Sequence, residues 1–326
     1  MQNNASIDVE RPPTEAQDNL EDFRHEMLLG MSKAVKAIPC RFLYDQTGSA
    51  LFDQICRLPE YYPTRTEMGI LKNHAPDIAR HVGPAVRFIE LGAGSGGKAE
   101  WLMDALDRPS GYLCIDISPA PLAATALTMA KRYPGLEVMA RCGNYLAELD
   151  LPPSGTGPDL CFFPGSTIGN FERDDAQRFL AQWRERLGGD GMMVVGVDLQ
   201  KDVTLLDQAY DDAQGVTARF SLNVLARANA ELGADFDLSR FRHRARYCTN
   251  PGHIEISLVS LADQSVQVAG RSFHFAKGEA LHIENSHKYT VEEFAAMAGR
   301  AGFASDAVWT DAEGLFSVHL LRVARQ

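Results

Sequence analysis

The sequence has few cysteines, no long apolar run and no excess of positive charge. Its 326 residues include six cysteines, and no two of them form a C-x-x-C pair, so we expect reduced thiols rather than a disulfide framework or a metal site. No stretch approaches the roughly 18 consecutive apolar residues of a membrane span. The formal net charge of -11 argues against binding to a nucleic-acid backbone, which needs a basic surface.

The amino-terminal stretch also lacks the features of a targeting signal. Residues 1–18 have neither a basic start nor an apolar run, so we expect a flexible tail there rather than a signal peptide. The overall composition, with 45% hydrophobic and 23% charged residues, is typical of a globular protein with one large or two modest cores. We therefore predict a cytoplasmic protein that binds neither nucleic acid nor a membrane, and we expect it to be a monomer.

What the sequence does contain is a regular alternation of short apolar segments with helical patterns. The apolar segments are VRFIEL, GYLCIDI, LEVMARCG, DLCFFPG and GMMVVGVDL. Helical stretches of roughly ten to fifteen residues separate most of them. Such alternation predicts a parallel sheet that is covered by helices on both faces.

The regions on either side of this alternation differ from it. Residues 19–58 are mostly helical in pattern, and a further helix is predicted near Thr66–Ala79. A long helical stretch covers residues 202–232, and the strand-like segments that follow it are predicted to be antiparallel. The end, TVEEFAAMAGRAGF and two apolar segments, predicts a helix and a hairpin that resume the sheet. The predicted domains are a tail (1–18), the helical part of a substrate domain (19–64), a core (65–201), an inserted substrate-binding lobe (202–286) and the end of the core (287–326).

A glycine-rich turn follows the first apolar segment, in the stretch RFIELGAGSGGKAEW. Glycines at a strand-to-helix turn let the backbone approach a ligand closely, and the helix amino terminus offers N–H groups. The run Gly92, Gly94, Gly96, Gly97 meets the G-x-G-x-x-G spacing of dinucleotide sites only if Gly96 is ignored. Three interpretations remain open: dinucleotide phosphates, the adenosyl end of S-adenosylmethionine, or a purely structural turn.

Two acidic residues bear on this choice. Asp116 lies at the end of the next apolar segment, where a carboxylate can accept both ribose hydroxyls of either ligand. Glu90 lies two places before Gly92, and the resulting ELGAGSG looks like the first motif of class I S-adenosylmethionine-dependent methyltransferases. The terminal helix and hairpin resemble the last elements of that fold, which dinucleotide enzymes generally lack. Both features favour the methyl donor.

Five further stretches together resemble one family. They are FLYDQTGSALFDQICRLPEYYPTRTE, FFPGSTIGNF, AYDDAQGVTARFSLNVL, LGADFDL and LHIENSHKYT. In these motifs, and in their order from Phe42 to Val323, the sequence is similar to the histidine Nα-methyltransferases of ergothioneine biosynthesis. The resemblance implies an α/β class I methyltransferase fold, with a Rossmann-like doubly wound sheet, a reversed last strand and a smaller inserted α+β substrate-binding domain. It also implies an enzyme that uses S-adenosylmethionine to convert L-histidine to Nα,Nα,Nα-trimethylhistidine (hercynine) in three successive in-line transfers.

The resemblance implies which residues contact the methyl donor: Tyr44, Gly92, Lys98, Asp116, Asn144 and Tyr145. Lys98 begins the helix after the glycines, from where its side chain is expected to reach the methionine carboxylate. Asn144 stands where the family commonly has Asp, and Tyr145 replaces Phe. An Asn side chain can still accept a hydrogen bond from the adenine amino group, so the contact is kept in the prediction.

It likewise implies which residues bind the amino acid: Tyr61, Gly165, Thr167, Asn170, Tyr210, Ile256, Glu284 and Ser286. Asn170 matches an asparagine that binds the backbone groups of the substrate, and Tyr210 matches a tyrosine that donates to its carboxylate. We assign these two as catalytic through positioning. Glu284 can accept an imidazole N–H, and Ser286 can pair with the same ring. Ile256 replaces a methionine that flanks the imidazole in the best-known members.

The remaining substrate residues are expected to shape the pocket. Tyr61 lines it, and the π face of this tyrosine can help to hold the quaternary ammonium that forms as methyl groups are added. Gly165 and Thr167 are expected near the amine. Transfer from a sulfonium to an amine has an activated leaving group, so positioning dominates over acid–base help. The motifs contain no obvious strong base, and we expect the α-ammonium to lose its proton to solvent or through a water.

Other functions remain open on the sequence alone. An Nα-methyltransferase for a different amino acid would share all of these motifs, with Ile256 changing the side-chain pocket. A non-catalytic sensor of an amino acid or of S-adenosylmethionine would bind both ligands without turnover. A dinucleotide oxidoreductase would bind NAD at the glycine-rich turn, although the terminal helix and hairpin argue against it.

Overall fold

The computed structural model describes residues 9–10, 15–93, 97–147, 149, 151–153 and 157–324. Most of the predicted tail (1–18) lies outside these ranges, as do Gly94, Ser95 and Gly96 of the glycine-rich turn. Within the described ranges, none of the helices combines the length and the apolar character that crossing a membrane requires. The chain divides into two compact units. Unit 1 contains the first strand, Pro63–Gln200 and the chain from Tyr289 onward, and unit 2 contains the described part of Pro12–Tyr62 and Lys201–Lys288.

The elements are numbered in chain order. The α-helices are α1 (Glu15–Met31), α2 (Gln46–Ile55), α3 (Tyr62–Val82), α4 (Lys98–Ala105), α5 (Pro119–Arg132), α6 (Arg173–Leu187), α7 (Val203–Tyr210), α8 (Val216–Leu232) and α9 (Val291–Arg300). The strands are β1 (Val9–Glu10), β2 (Arg87–Leu91), β3 (Gly111–Asp116), β4 (Val138–Cys142), β5 (Asp159–Phe163), β6 (Met192–Asp198), β7 (Phe241–Cys248), β8 (His253–Ser260), β9 (Gln264–Val268), β10 (Arg271–Phe275), β11 (Ala280–His287), β12 (Phe303–Thr310) and β13 (Phe316–Val323). Short 3-10 helices cover Cys40–Leu43, Thr167–Asn170 and Leu238–Arg240.

Unit 1 is built on an eight-stranded sheet with the order β1-β4-β3-β2-β5-β6-β13-β12. Its neighbours from β1 to β6 are parallel, whereas β13 runs antiparallel to both β6 and β12. The strand order reverses at β2, which lies between β3 and β5. This topology confirms the predicted doubly wound sheet with a reversed last strand.

Alternate residues of the central strands point to opposite faces, and each face has its own core. Phe88 packs on one face with α3, α4 and α5, whereas Ile89 packs on the other face with α6 and α9. Because both faces are covered by helices, every residue of β2 and of β6 is buried. The predicted two-sided packing is therefore confirmed.

The parallel strands bring four short segments to one edge of the sheet, because their carboxyl ends lie side by side. Gly92 follows β2, Asp116 is the last residue of β3, Asn144 lies just beyond β4, and Gly165 lies just beyond β5. Ligands of open α/β sheets bind at this edge, next to the point where the strand order reverses.

Unit 2 combines α1, α2, α7 and α8 with a three-stranded antiparallel sheet, β11-β8-β7, and a hairpin of β9 and β10. The antiparallel prediction is confirmed, but the predicted long helix over 202–232 is wrong as a single element. It is broken into α7 and α8, because the Asp212 carboxylate caps the backbone N–H groups of Val216 and Thr217 at 2.9 and 2.7 Å. Gly215 precedes α8 with a φ of 65°, a conformation that glycine adopts without strain.

Helix α3 is longer than predicted, since it starts at Tyr62 and ends at Val82. Pro63 is compatible with a helix start, where its missing N–H would have no intrahelical partner. Pro76 lies inside the helix and did not end it. The predicted span of 66–79 therefore contains Pro76 and omits the residues at both ends of the observed helix.

Candidate functional site

The turn after β2 places Gly92 against an aromatic ring. Gly92 has a φ of 69°, and its backbone N–H donates to the carbonyl of Ile115 on β3 at 2.9 Å. A Cβ at this position would lie 3.9 Å from Cε1 of Tyr145. The structure therefore brings Gly92 and Tyr145, two of the predicted donor residues, together at the carboxyl edge of the sheet.

Asp116 and Asn144 lie at the same edge, and each makes a local hydrogen bond. Oδ1 of Asp116 accepts from the backbone N–H of Ser118 at 2.8 Å, and burial raises the pKa of this carboxyl group. A carboxylate has further acceptor positions for a ribose hydroxyl. Oδ1 of Asn144 accepts from the backbone N–H of Leu146 at 2.9 Å, so an adenine amino group would share this oxygen with a turn.

Glu90, the acidic residue before the glycines, faces inward. It is buried, and the hydroxyl of Tyr112 donates to its Oε2. Burial raises the pKa of Glu90 to about 7, with the bond from Tyr112 and the charge of Lys98 opposing the shift. Within the ELGAGSG motif, Glu90 therefore makes an internal contact in unit 1, with Tyr112 of the neighbouring strand.

Lys98 is held by a buried carboxylate that the sequence interpretation missed. Its Nζ lies 2.6 Å from Oε2 of Glu67, whose side chain is 1% exposed. The backbone N–H of Gly165 donates to Oε1 and Oε2 of the same carboxylate at 2.8 and 3.0 Å. Glu67 thus joins the loop after β5 to the first residue of α4. Its only sequence signal was its place at the end of the PEYYPTRTE motif.

The carboxylate of Glu67 packs directly against strand β6, at a position where the strand has a glycine, Gly196. A Cβ on Gly196 would lie 1.9 Å from Oε1 of Glu67. Every residue of β6 is buried, so the strand lacks room to move aside. Gly196 therefore belongs to the structure that supports the candidate site, a role that no sequence motif indicated.

The loop after β5 carries Gly165, Thr167 and Asn170. Gly165 has a φ of 81° and Ser166 a φ of 55°, so two successive residues adopt the left-handed conformation. The Ser166 hydroxyl accepts from the backbone N–H of Asp198 at 2.9 Å, and the Thr167 hydroxyl donates to the carbonyl of Pro164 at 2.9 Å. These bonds fix the start of the 3-10 helix that ends at Asn170, whose half-buried side chain lies in unit 1.

In unit 2, the strand register gathers the predicted substrate residues on one face of the small sheet. Glu284 is the cross-strand partner of Ile256, and Ser286 is the partner of Ile254 one pair further along. Alternate residues share a face, so Ile256, Glu284 and Ser286 lie on the same side. The hydroxyl of Tyr210, the last residue of α7, is 2.9 Å from Oγ of Ser286.

Lys288, which the sequence interpretation also missed, completes this cluster. It is fully buried, and its Nζ donates to the Tyr210 hydroxyl at 2.7 Å and to Oγ of Ser286 at 2.8 Å. The residue lies in the LHIENSHKYT motif, where the sequence alone indicates no role for its side chain. We call Tyr210, Glu284, Ser286 and Lys288 the polar cluster.

Glu284 is the titratable acid of the polar cluster. It is 8% exposed, and burial raises its pKa to about 7, whereas the charge of Lys288 opposes that shift. A carboxyl group that titrates near neutrality can accept an N–H when ionised and donate when protonated. This matches the hydrogen-bonding needs of an imidazole, which also titrates near neutrality.

Aromatic rings connect the predicted tyrosines of unit 2. The ring of Tyr61 meets that of Tyr210 edge-on, with centroids 5.9 Å apart, and meets Phe52 at 6.2 Å. The ring of Tyr44 packs against Phe52 at 5.5 Å and against Phe220 of α8 at 5.3 Å. Tyr44 and Tyr61 therefore belong to one aromatic cluster that reaches the polar cluster through Tyr210.

On the opposite face of the small sheet lies a group with metal-ligand chemistry. The side-chain donor atoms of Cys248, His253 and Glu255 are all within 4.8 Å of one another. The Glu255 carboxylate already pairs with Arg246 at 3.1 Å and faces Arg244 at 3.7 Å. These two guanidinium groups offset the negative charge that a cation would need, so we assign no metal to this group.

The sheet topology, the glycine turn at the carboxyl end of β2 and the acid at the end of β3 define a class I S-adenosylmethionine-dependent methyltransferase. More closely, the chain belongs to the family described as "Histidine-specific methyltransferase, SAM-dependent", whose pattern matches residues 23–323. The enzyme is therefore a methyltransferase whose methyl donor is S-adenosylmethionine.

Named relatives agree with this assignment. A "Histidine N-alpha-methyltransferase" of Mycolicibacterium smegmatis is 38% identical over 305 residues, which cover 92% of this chain and 94% of the relative. A protein of the same name from Mycobacterium tuberculosis is 37% identical, with 91% and 94% covered. "Ergothioneine biosynthesis protein 1" of Neurospora crassa is 30% identical over 89% of this chain, which matches 33% of that longer protein.

Proposed function

We propose that this enzyme methylates the α-nitrogen of L-histidine three times in succession and so produces Nα,Nα,Nα-trimethylhistidine (hercynine). The observation that carries the proposal is the polar cluster of unit 2. It combines a carboxyl group that titrates near neutrality, two hydroxyls and a buried ammonium, with Ile256 in the same sheet row as Glu284. These groups match an imidazole N–H and an α-carboxylate. The enzyme is further proposed to act as a cytoplasmic monomer.

Unit 1 supplies the groups that suit the donor. Gly92 has no Cβ, and Asp116 presents a carboxyl group at the same sheet edge, which fits the adenosine half of S-adenosylmethionine. The donor supplies an activated methyl group on a sulfonium. Glu67 holds the Lys98 ammonium beside Gly165, so a carboxylate at the methionine end of the donor would meet a positive charge already in place.

Unit 2 supplies the groups that suit histidine. The Tyr210 hydroxyl is assigned to the α-carboxylate, and Glu284 with Ser286 to the ring nitrogens. The hydroxyls of Tyr210 and Ser286 are 2.9 Å apart, so the groups assigned to the carboxylate and to the ring are neighbours in unit 2. In unit 1, the amide of Asn170 can both donate and accept, which suits the α-groups of an amino acid.

Positioning is the main task of these residues. The amine lone pair must lie roughly 3 to 3.5 Å from the methyl carbon and in line with the sulfonium. The α-ammonium first loses its proton to solvent or through a water, so the rate is expected to rise on the mildly alkaline side. Tyr61, edge-on to Tyr210, presents an aromatic face to the ammonium that accumulates methyl groups.

The test is a methyl-transfer assay with purified enzyme, S-adenosylmethionine and L-histidine, followed by mass spectrometry of the amino acid. Gains of one, two and finally three methyl groups, with release of S-adenosylhomocysteine, are expected. Preferred methylation of another amino acid from a competing panel would replace histidine as the substrate. Binding of both ligands without release of S-adenosylhomocysteine would identify a sensor.

Tyr210→Phe removes one hydroxyl from the polar cluster. We expect the KM for L-histidine to rise by about 10- to 100-fold, the range for a lost hydrogen bond to a charged group. The KM for S-adenosylmethionine should stay within about twofold, as is usual when no contact is removed. Tyr133→Phe is the matched control, because its hydroxyl bonds to exposed Asp104 in unit 1. An unchanged histidine KM would remove Tyr210 from the carboxylate role.

A further inference from the structure

Lys288 is a fully buried ammonium within the polar cluster. Its Nζ lies 2.7 Å from the Tyr210 hydroxyl, 2.8 Å from Oγ of Ser286 and 4.6 Å from the centre of the Tyr210 ring. Burial of an ammonium is unfavourable unless the group is hydrogen-bonded and its charge is paired. The two hydroxyls that it contacts are those assigned to the substrate.

The geometry fixes how these hydroxyls can act. An ammonium has only donors, so both oxygens must accept from Lys288. A hydroxyl that accepts from an ammonium turns its own hydrogen away from it. Since the two oxygens are also 2.9 Å apart, the Ser286 O–H can donate to the Tyr210 oxygen, which leaves the Tyr210 O–H as a donor toward the substrate. Donors backed by a positive charge suit a carboxylate, and charge-assisted bonds of this kind are stronger than neutral ones.

Glu284 and Ser286 share one face of the small sheet, and the charge of Lys288, which directly follows β11, also acts on the Glu284 carboxyl group. Among the described residues, Lys288 is the charged group that acts on the Glu284 carboxyl group. Burial and Glu284 itself raise the pKa of the Cys40 thiol to about 12, so the thiol is neutral, and Arg41 acts on that thiol. Burial lowers the pKa of His243, whose Nε2 contacts the carbonyl of Tyr210 at 2.9 Å.

We propose that Lys288 is a positioning residue for the substrate: its ammonium, together with Ser286, orients the Tyr210 hydroxyl toward the α-carboxylate and balances the charge of Glu284. The inference rests on the proposed function, because it assumes an amino-acid substrate in this cluster. The inference assigns a specific role to the α-carboxylate of the substrate. Analogues that keep the imidazole side chain but have an amide or no group in place of this carboxylate should therefore bind poorly.

The first test uses the variants Lys288→Met and Lys288→Arg in the full-length enzyme. Lys288→Met should raise the histidine KM by roughly 10- to 100-fold, while the dissociation constant of S-adenosylhomocysteine stays within about twofold. Lys288→Arg, which keeps the charge, should recover part of that loss. Lys36→Met is the matched control, because it removes a lysine that pairs with Glu279 in the same unit. Equal losses for both ligands, or an unchanged histidine KM, would overturn the proposal.

A second readout separates charge from packing. The titration of Glu284 is followed by carbon NMR on glutamate-labelled protein, with Glu284→Gln identifying its signal. Loss of the ammonium in Lys288→Met should move the midpoint upward by about one pH unit or more, because an opposite charge favours the ionised carboxylate. The Lys36→Met protein should keep the midpoint of the unmodified enzyme. An unmoved midpoint in Lys288→Met would overturn the charge-balancing role.

A third measurement needs no variant and holds even if Lys288→Met fails to fold. Calorimetry with S-adenosylhomocysteine present compares L-histidine with L-histidinamide, which lacks the carboxylate charge. The amide should bind at least roughly tenfold more weakly. Equal affinities would overturn the inference while leaving histidine methylation intact, whereas an enzyme that never methylates histidine would overturn the proposed function itself.

Discussion

Alanine in place of Glu284 is expected to raise the dissociation constant for L-histidine by about 100-fold or more. The carboxyl group is buried beside Ile256 and balances the charge of Lys288, so its loss removes the acceptor for the ring and leaves an ammonium without that balance. The dissociation constant for S-adenosylhomocysteine should change by less than about twofold, because the assigned donor groups other than Tyr44 lie in unit 1.

Calorimetry measures both constants, with histidine titrated into enzyme that is saturated with S-adenosylhomocysteine. Glu279→Ala provides the control, since it removes a partly exposed carboxylate of unit 2 that pairs with Lys36. The control should bind histidine as the unmodified enzyme does. Equal weakening of histidine and S-adenosylhomocysteine by Glu284→Ala would contradict the assignment of Glu284 to the substrate.

The same carboxyl group predicts how histidine affinity depends on pH. In the free enzyme the pKa of Glu284 is raised to about 7, and a free imidazole has a pKa of about 6.5. Below about pH 6 both groups carry a proton, and one proton must leave before an N–H can donate to a carboxylate. Affinity should therefore fall as the pH decreases below 6, by up to about tenfold per unit. Glu284→Gln, which does not titrate, should remove this acid-side decrease.

The sequence predicted the part of the fold that repeats a local pattern. Apolar strands alternating with helices determined the doubly wound sheet, and the acid and glycines at strand ends fell at one edge because parallel strands end together. The break between α7 and α8 also depends on local residues, since Asp212 and Gly215 both lie in the segment DDAQG. The helical spacing of apolar residues on either side nevertheless predicts a continuous helix. The assigned roles of Asn170 and the other site residues stay predictions.

Glu67 and Lys288 could not be assigned because their roles depend on distant partners. A charged side chain in a single sequence is expected at the surface, and only tertiary contacts show that these two are buried. Glu67 meets Lys98 and Gly165, which lie 31 and 98 residues away in the chain. Lys288 meets Tyr210, which lies 78 residues away. None of these three partners follows from spacing or periodicity.

Glu67→Ala is expected to lower the free energy of unfolding by about 3–5 kcal/mol, the range for breaking a buried ion pair at one partner. The change leaves the Lys98 ammonium without its carboxylate and the Gly165 N–H without its acceptor. Urea unfolding measures the effect. Glu100→Ala removes a partly exposed pair with Arg132 and should lower the free energy by no more than about 1 kcal/mol. A Glu67→Ala protein as stable as this control would show that the ion pair contributes little.

Gly196→Ala tests the same contact from the opposite side, because its effect should depend on whether Glu67 is present. The new Cβ would lie 1.9 Å from Oε1 of Glu67 and 3.2 Å from a ring atom of Phe316, so the carboxylate must move away from Lys98 and Gly165. Alone, the substitution should destabilise the enzyme by about 1–3 kcal/mol or more through overpacking. In the Glu67→Ala protein the carboxylate is absent, and the methyl group of Ala at position 196 can occupy the space that it leaves. The added methyl group should therefore have a much smaller effect on the free energy of unfolding. The two changes should therefore fail to add by at least about 1 kcal/mol, and strictly additive free energies would mean that Gly196 does not make room for Glu67.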